Sequence, residues 1–319
     1  MASNQEIIDW FLSHKKELKL KVGKGAWIKN WAPNYFDFSA NVEINGKTYF
    51  GRGIDLDMDL AFVKACVESL ERAICEEYGV YSSGVAGHSD LENAKKNAFA
   101  ELVERDVFLC HYLTKTSFMP INPDGNAFID YSDVINRLAS KSVTLKLFEL
   151  HSTENLNTVL CISTLPNSGV VVGLSSSRDL GTAIEKSFFE SLSNTVAYLD
   201  GNTYTPLLKE ELEHTDIFRS IHHFRFNLTD NSYSRFKGLT NGKEVKRLEN
   251  PSVRYKELKS SSQIINDSPL VFVKAESDEV QNIFYGETVK EKLNFERLNL
   301  FVSKENHFED IEKRMHPLG

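Results

Sequence analysis

Residues 61–72 read Ala61-Phe-Val-Lys-Ala65-Cys-Val-Glu68-Ser-Leu-Glu71-Arg72, and the arrangement returns twice, as Ala94, Ala98, Glu101, Glu104 and Arg105, then as Ala183, Ser187 and Glu190. In each copy a small residue stands seven and three positions before the glutamate. Carried on to Arg72 and Arg105, four residues further, these positions form one stripe of an α-helix. A glycine-containing strand end lies upstream of each: Gly51-Arg52-Gly53, Gly84-Val85-Ala86-Gly87 and Gly173-Leu174-Ser175. This weak internal repeat predicts an α/β (α+β) fold of pseudo-repeated strand–helix units. The third copy departs from the others, reading Ser193-Asn194 after Glu190.

A second stripe on the first helix, Val63, Val67, Leu70 and Ile74, supplies its core contact, and Ile184, Phe188 and Leu192 do the same on the third. The small-residue stripe must therefore face something at close range, either backbone or a ligand. Carboxylates standing among small side chains meet desolvation unless cations neutralise them. Taken singly, Glu68 with Arg72 and Glu101 with Arg105 are the (i, i+4) ion pairs that decorate solvated helices. Duplication of the same pair on the same stripe after a glycine segment favours a functional role instead.

The 319 residues, with 41% hydrophobic and 26% charged side chains, 17 Gly and 8 Pro, describe a globular protein able to bury a core without staples. No apolar run approaches a membrane span, and Ile7, Ile8, Trp10 and Phe11 followed by Lys15 and Lys16 predict a short amphipathic helix, not a signal peptide. A cytoplasmic protein is expected, with no membrane partner. The net charge of −8 lacks the footprint of a nucleic-acid binder. Cys66, Cys75, Cys110 and Cys161 have no C-x-x-C spacing and are expected as reduced, buried thiols.

Glu-x-x-Glu on two helices offers four hard oxygen ligands, which suit Mg²⁺. A di-iron bundle would want Glu-x-x-His, which neither helix has. Magnesium commonly accompanies a nucleotide phosphate, for which Arg72 and Arg105 and the backbone N–H groups of the glycine segments are available. Phosphoryl transfer is the chemistry indicated, without a P-loop: the nearest string, Gly238 to Gly242-Lys243-Glu244, has the wrong spacing and no Ser or Thr.

The strings Gly51-Arg-Gly-Ile to Glu68-Ser-Leu-Glu71-Arg72, and Ser83-Gly84-Val-Ala-Gly87-His-Ser to Glu101-Leu-Val-Glu104-Arg105-Asp106, resemble the YcaO family over about residues 50–195. The resemblance implies a YcaO-like fold around a non-P-loop ATP·Mg site, in one domain spanning residues 1–319. It implies Glu68, Glu71, Glu101 and Glu104 as magnesium ligands, with Arg72, Arg105, Ser83 and Ser89 around the nucleotide. The family has a further acidic ligand eight residues before Glu101, where this chain has Asn93 with Glu92 beside it. Glu92 is expected to serve. In the third copy the family's arginine and glutamine are replaced by Lys186 and by Ser193-Asn194, so Lys186 and Asn194 complete the expected nucleotide environment.

The function so implied is ATP-dependent activation of backbone amides in a ribosomally made peptide, with Cys, Ser or Thr cyclised to an azoline. Thioamidation and a non-catalytic scaffold are the alternatives. The implied partners are a precursor peptide, a ThiF-like leader-binding protein or a TfuA-like protein, and a flavin-dependent dehydrogenase in the same complex. The ending His316-Pro317-Leu318-Gly319 is similar to the proline-containing end of family cyclodehydratases, which makes His316 and the Gly319 carboxylate candidate general bases at the end of a tail from 309 to 319.

His222-His223 and Cys110-His111 lack a second half for a zinc site or a triad and are expected as packed or exposed side chains. Residues 230–262, with Arg235, Lys237, Lys243, Lys246 and Arg247, predict a long mobile loop. Strands are expected at Val143–Leu150, Thr158–Thr164, Val170–Leu174, Leu270–Lys274 and Leu298–Val302, and a helical stretch at Glu309–Arg314.

Overall fold

The computed structural model describes residues 2–25, 28–121, 131–200, 204–215 and 218–318. Along the chain run α1 (Asn4–Ser13), β1 (Lys21–Lys24), β2 (Phe36–Ile44), β3 (Lys47–Asp55), α2 (Met58–Glu77), β4 (Val85–His88), α3 (Leu91–Thr114), β5 (Met119–Pro120), α4 (Ser132–Ser140) and β6 (Thr144–Glu149). There follow β7 (Ser152–Thr153), β8 (Asn157–Thr164), β9 (Val170–Ser177), α5 (Leu180–Leu199), α6 (Lys209–Glu213), α7 (Ser220–Asn227), β10 (Arg247–Leu248), β11 (Arg254–Leu258), α8 (Gln263–Asn266), β12 (Val271–Glu276) and α9 (Phe295–Val302). The residues group into two compact units: 1–102 with 253–277, and 103–252 with 278–319.

In the first unit, β1, β2 and β3 form an antiparallel sheet. The β2–β3 hairpin turns at Asn45 and Gly46, both at positive φ (51° and 78°), the pairing that a two-residue hairpin of matching twist requires. A second antiparallel sheet is ordered β11-β12-β4. The predicted N-terminal helix is α1, closed by a capping box between Ser3 and Glu6, with Ile7 and Phe11 buried. These join Val63, Val67, Leu70 and Ile74 of α2, together with Val42, Val85 and Phe272, in one core.

The small-residue stripe of α2 faces the strand before it. A Cβ placed on Gly53 would stand 2.0 Å from the Ala61 carbonyl oxygen, and one on Gly51 would stand 2.1 Å from that of Ala65. Helix and strand thus meet backbone to backbone, and the glycines and alanines are what permit it. Gly51 and Gly53 lie inside β3, and Ala61 and Ala65 on α2.

The second unit repeats the device. Its sheet is ordered β5-β6-β8-β9, antiparallel throughout, and α5 lies on β9 as α2 lies on β3. The two copies are in register over a shift of 122 residues: Gly51 with Gly173, the N-caps Asp57 and Asp179, Ala61 with Ala183, Ala65 with Ser187, Glu68 with Glu190. A Cβ on Gly173 would stand 2.0 Å from the Ser187 carbonyl oxygen. Gly173→Ala is therefore expected to push α5 off β9 and cost about 1–3 kcal/mol or more, read as a lower denaturant midpoint at unchanged slope; an unchanged midpoint would show that the contact yields freely.

Four of the five expected strands are present, as β6, β8, β9 and β12. The fifth, Leu298–Val302, is instead helix α9. Asn294 caps it through the Arg297 N–H, and Leu298 and Phe301 are buried three residues apart while Leu300 is exposed, a helical period and not the alternation of a strand. The expected helix at Glu309–Arg314 is replaced by one 3₁₀ turn at Phe308–Asp310, followed by a local Arg314–Glu312 ion pair. Residues 230–262 carry a 3₁₀ turn at Ser232–Arg235, strand β10 pairing with β7, and strand β11 pairing with β12; Phe236 is fully buried. All four cysteines are free and buried. Among the described residues no helix is long and apolar enough to cross a membrane.

Candidate functional site

Among the described residues strand β3 has only β2 as a paired neighbour, so its other edge presents backbone groups that need partners. Helix α2 supplies them from side chains. Lys64 donates to the Ile54 carbonyl (3.4 Å), Glu68 Oε2 accepts from the Arg52 N–H (2.6 Å), and Arg72 donates to the Phe50 carbonyl (2.9 Å). Helix residues four apart advance about 6 Å and strand residues two apart about 6.6 Å, so the two periodicities match. Glu68 also receives Arg72 Nη2 at 2.6 Å, so the (i, i+4) ion pair exists, but as one corner of an edge clamp.

The other glutamates are pinned in the same way. Glu71 accepts from the Gly87 N–H at 2.6 Å and Glu101 from the Gly84 N–H at 3.2 Å. In the second unit, Glu104, 8% exposed, accepts from the Ser176 N–H at 3.0 Å, and Glu190 from the Leu174 N–H at 2.6 Å. Arg105 Nε lies 3.7 Å from Glu104 Oε1. The N–H groups of Gly84 and Gly87, expected from the sequence as phosphate donors, are thus taken up by carboxylates.

Burial pushes the Glu71 carboxyl up to about 8, against the Gly87 N–H that lowers it, with the charges of Glu101 and Glu68 adding repulsion and Arg72 opposing. One glutamate flanked by two others, in a setting that disfavours its own charge, is a donor set that a hard cation would neutralise. The oxygen-only ligands fit Mg²⁺ in kind. Among the described residues no three acidic, His or Cys side chains converge as a metal cage; Glu68, Glu71 and Glu101 are each held by a separate backbone N–H.

The other expected site residues are placed as follows. Ser83 is buried, and its carbonyl accepts from Lys274 Nζ. The Ser89 hydroxyl donates to the Ala2 carbonyl at 2.9 Å. Glu92 is exposed and pairs with Lys95 at 2.8 Å. Lys186 is exposed and Asn194 half-buried on α5. Gly319 lies outside the described residues.

His316 is 1% exposed. Its Nε2 is 2.7 Å from the Phe284 carbonyl, its own carbonyl accepts from His223 Nδ1 at 3.0 Å, and its ring centroid lies 4.3 Å from that of His223. A substrate proton cannot reach this ring without displacement of the tail. The bidentate Arg52–Asp37 pair (2.9 and 2.6 Å) and the bonds of Lys274 to the Tyr81 and Ser83 carbonyls join separate segments of chain and leave no local signal in the sequence. Glu190 was visible in the repeat but was not assigned to the site.

Three buried histidines of the second unit resist protonation. Burial lowers His111 to about 3, and His151 and His223 to about 4, from an ordinary 6.5. Above pH 6.5 neither folded nor unfolded forms bind these protons; below it only the unfolded chain does, so stability falls between pH 6.5 and about 4. Each histidine costs up to about 1.4 kcal/mol per pH unit. Denaturation at pH 7 and pH 5 is expected to give a clearly lower midpoint at pH 5; equal midpoints would mean that the rings are not sealed from protons.

No curated protein matches the chain in sequence. Among solved structures it is similar to YcaO from Methanopyrus kandleri bound with AMPPCP and Mg²⁺, at 13% identity and a TM-score of 0.59, covering 88% of this chain and 92% of that one. It is also similar to a heterocyclase in complex with substrate and cofactor, at 10% identity and a TM-score of 0.69 over 97% of this chain; it spans 57% of that protein. At such identities the likeness is one of fold. The profile of the family described as YcaO cyclodehydratase, ATP- and Mg²⁺-binding, matches residues 51–260. That span takes in both Glu-x-x-Glu helices, the third copy and the strands whose edges they clamp, so the chain belongs to the YcaO family, and its cofactors are ATP and Mg²⁺.

Proposed function

We propose that this chain activates backbone amides of a ribosomally made peptide with ATP, cyclising Cys, Ser or Thr to azolines. The observation that carries the reading is the Glu68, Glu71 and Glu101 group, where Glu71 is pushed up to about 8 and a cation would restore its charge. Glu68, Glu71, Glu101 and Glu104 are the proposed magnesium ligands, with Arg72, Arg105, Ser83, Ser89, Lys186 and Asn194 around the nucleotide. Glu92 enters as a ligand only by leaving Lys95.

When bound, Mg·ATP supplies the electrophilic phosphoryl group that turns the amide oxygen into a leaving phosphate. The chain's own residues position and neutralise, which is where phosphoryl-transfer catalysis mostly lies. Backbone N–H groups aim each carboxylate and limit its rotation, and the arginines offer planar donors to phosphate oxygens. The nucleophile belongs to the peptide. A ThiF-like leader-binding protein is the proposed partner for presenting it, with a flavin-dependent dehydrogenase acting on the azoline; a TfuA-like partner would accompany thioamidation.

The test combines the chain with a candidate precursor peptide, the leader-binding partner and Mg·ATP. Loss of one water per modified residue with release of ADP supports azoline formation, whereas oxygen-to-sulfur exchange supports thioamidation. A peptide of unchanged mass with no ATP consumed supports the scaffold reading, which the altered third copy at Lys186 and Ser193-Asn194 permits and the retained Glu68, Glu71, Glu101, Glu104, Arg72 and Arg105 speak against. Glu71→Gln or Glu104→Gln is expected to weaken Mg·ATP about 10–100-fold; calorimetric binding unchanged in the double variant would remove the proposed site.

A further inference from the structure

We propose that Lys274 is a positioning residue of the metal site: its ammonium ties down the carbonyls of Tyr81 and Ser83 and so fixes the Gly84 N–H against Glu101. The inference rests on the reading of Glu101 as a magnesium ligand. Lys274 sits on β12 opposite Val85 of β4 and is half-buried, so its charge is paid for by acceptors within reach. Those acceptors are the Tyr81 carbonyl at 3.4 Å and the Ser83 carbonyl. The next residue continues the grip, with the Ala275 N–H donating to the Gly84 carbonyl at 2.8 Å.

Residues 81–84 are thereby held at three carbonyls by two consecutive residues of one strand. Gly84 has little freedom left. It lies at φ +72°, a conformation that favours glycine, and a Cβ there would stand 3.0 Å from the Ala275 carbonyl oxygen. Its N–H is directed at Glu101 Oε2, 3.2 Å away. Of the charged groups that act on the ammonium, Glu101 and Glu276, the second is exposed, and the neighbouring Cys75 thiol is pushed up to about 12 by burial and stays neutral. Lys274 thus places a positive charge near Glu101 and fixes the turn that orients it. A valine or threonine would satisfy the sheet at this position; only a long cationic side chain satisfies the turn.

Three variants separate this role from simple strand packing: Lys274→Met, which keeps most of the aliphatic length, Lys274→Arg, which keeps the charge, and Glu101→Gln. Calorimetric titration with Mg·ATP is expected to show K274M weakened about tenfold or more, as when a supporting partner of a metal ligand is lost. K274R should recover most of the affinity, and K274M should add nothing further in the E101Q background. Thermal unfolding of K274M should show a modest loss, because the Tyr81 and Ser83 carbonyls lose their donor, and the affinity is therefore measured at a temperature where K274M is fully folded. If K274M does not fold, K274Q is measured with the same expectation. Wild-type Mg·ATP affinity in K274M or K274Q, while E101Q loses binding, would overturn the role of Lys274 and leave the metal site standing. Wild-type affinity in E101Q would instead overturn the metal reading on which it rests.

Discussion

Asp106→Ala is expected to destabilise the second unit by about 3–5 kcal/mol, the cost of leaving a buried charge without its partner. The Asp106 carboxylate is 1% exposed and receives Arg297 Nε at 3.1 Å and Nη2 at 2.5 Å, the Gln281 N–H at 2.8 Å and the Cys110 thiol at 3.5 Å. Arg297 is itself only 9% exposed. Truncation would strand its guanidinium in the interior and free both the loop at Gln281 and helix α9 from helix α3. Replacing both members, Asp106→Leu with Arg297→Met, should cost less than Asp106→Ala alone, because no charge is then left buried. Denaturant midpoints of the three proteins decide it; an Asp106→Ala midpoint equal to that of the starting protein would show that solvent already reaches Arg297. The pair anchors α3 two residues beyond Glu104, one of the proposed magnesium ligands.

Helices α1, α2, α3 and α5 are legible in local spacing because their information is local. Val63, Val67, Leu70 and Ile74 declare a buried face at helical period, and all four are in the core. The stripe of Ala61 and Ala65 was equally visible, and its close neighbour proved to be the backbone of Gly51 and Gly53. Sequence cannot distinguish a stripe that admits a ligand from one that admits a strand, since both need the same absence of side chain. Leu298–Val302 reads as a strand because a five-residue stretch with four apolar side chains carries too little period to separate the two; the Asn294 cap is the available signal. What stayed out of reach is non-local. Lys274 meets Ser83 across 191 residues of chain and Arg297 meets Asp106 across the same separation, and neither pairing leaves a mark on either segment alone.

The doubled role of the glutamates yields the last expected result. Glu68→Gln and Glu68→Ala should part company: the first should fold like the starting protein yet bind Mg·ATP about 10–100-fold more weakly, while the second should lose stability as well, by about 1–3 kcal/mol. The reason lies in the two oxygens. Oε2 accepts from the Arg52 N–H at 2.6 Å, a bond that the amide oxygen of Gln can still accept, whereas Oε1 with its charge is matched to Arg72. Glutamine therefore keeps the clamp on the edge of β3 and surrenders the charge that a cation requires. Alanine surrenders both and leaves the Arg52 N–H without its acceptor. Urea unfolding measures the first property and calorimetry with Mg·ATP the second. Glu190 provides the control, because its bond to the Leu174 N–H repeats the clamp in the second unit at the same 2.6 Å. Equal stability of the Gln and Ala forms of Glu68 would mean that water replaces the carboxylate at the strand edge. Undiminished Mg·ATP binding in Glu68→Gln would leave Glu68 as a structural clamp alone, with magnesium held by the other glutamates.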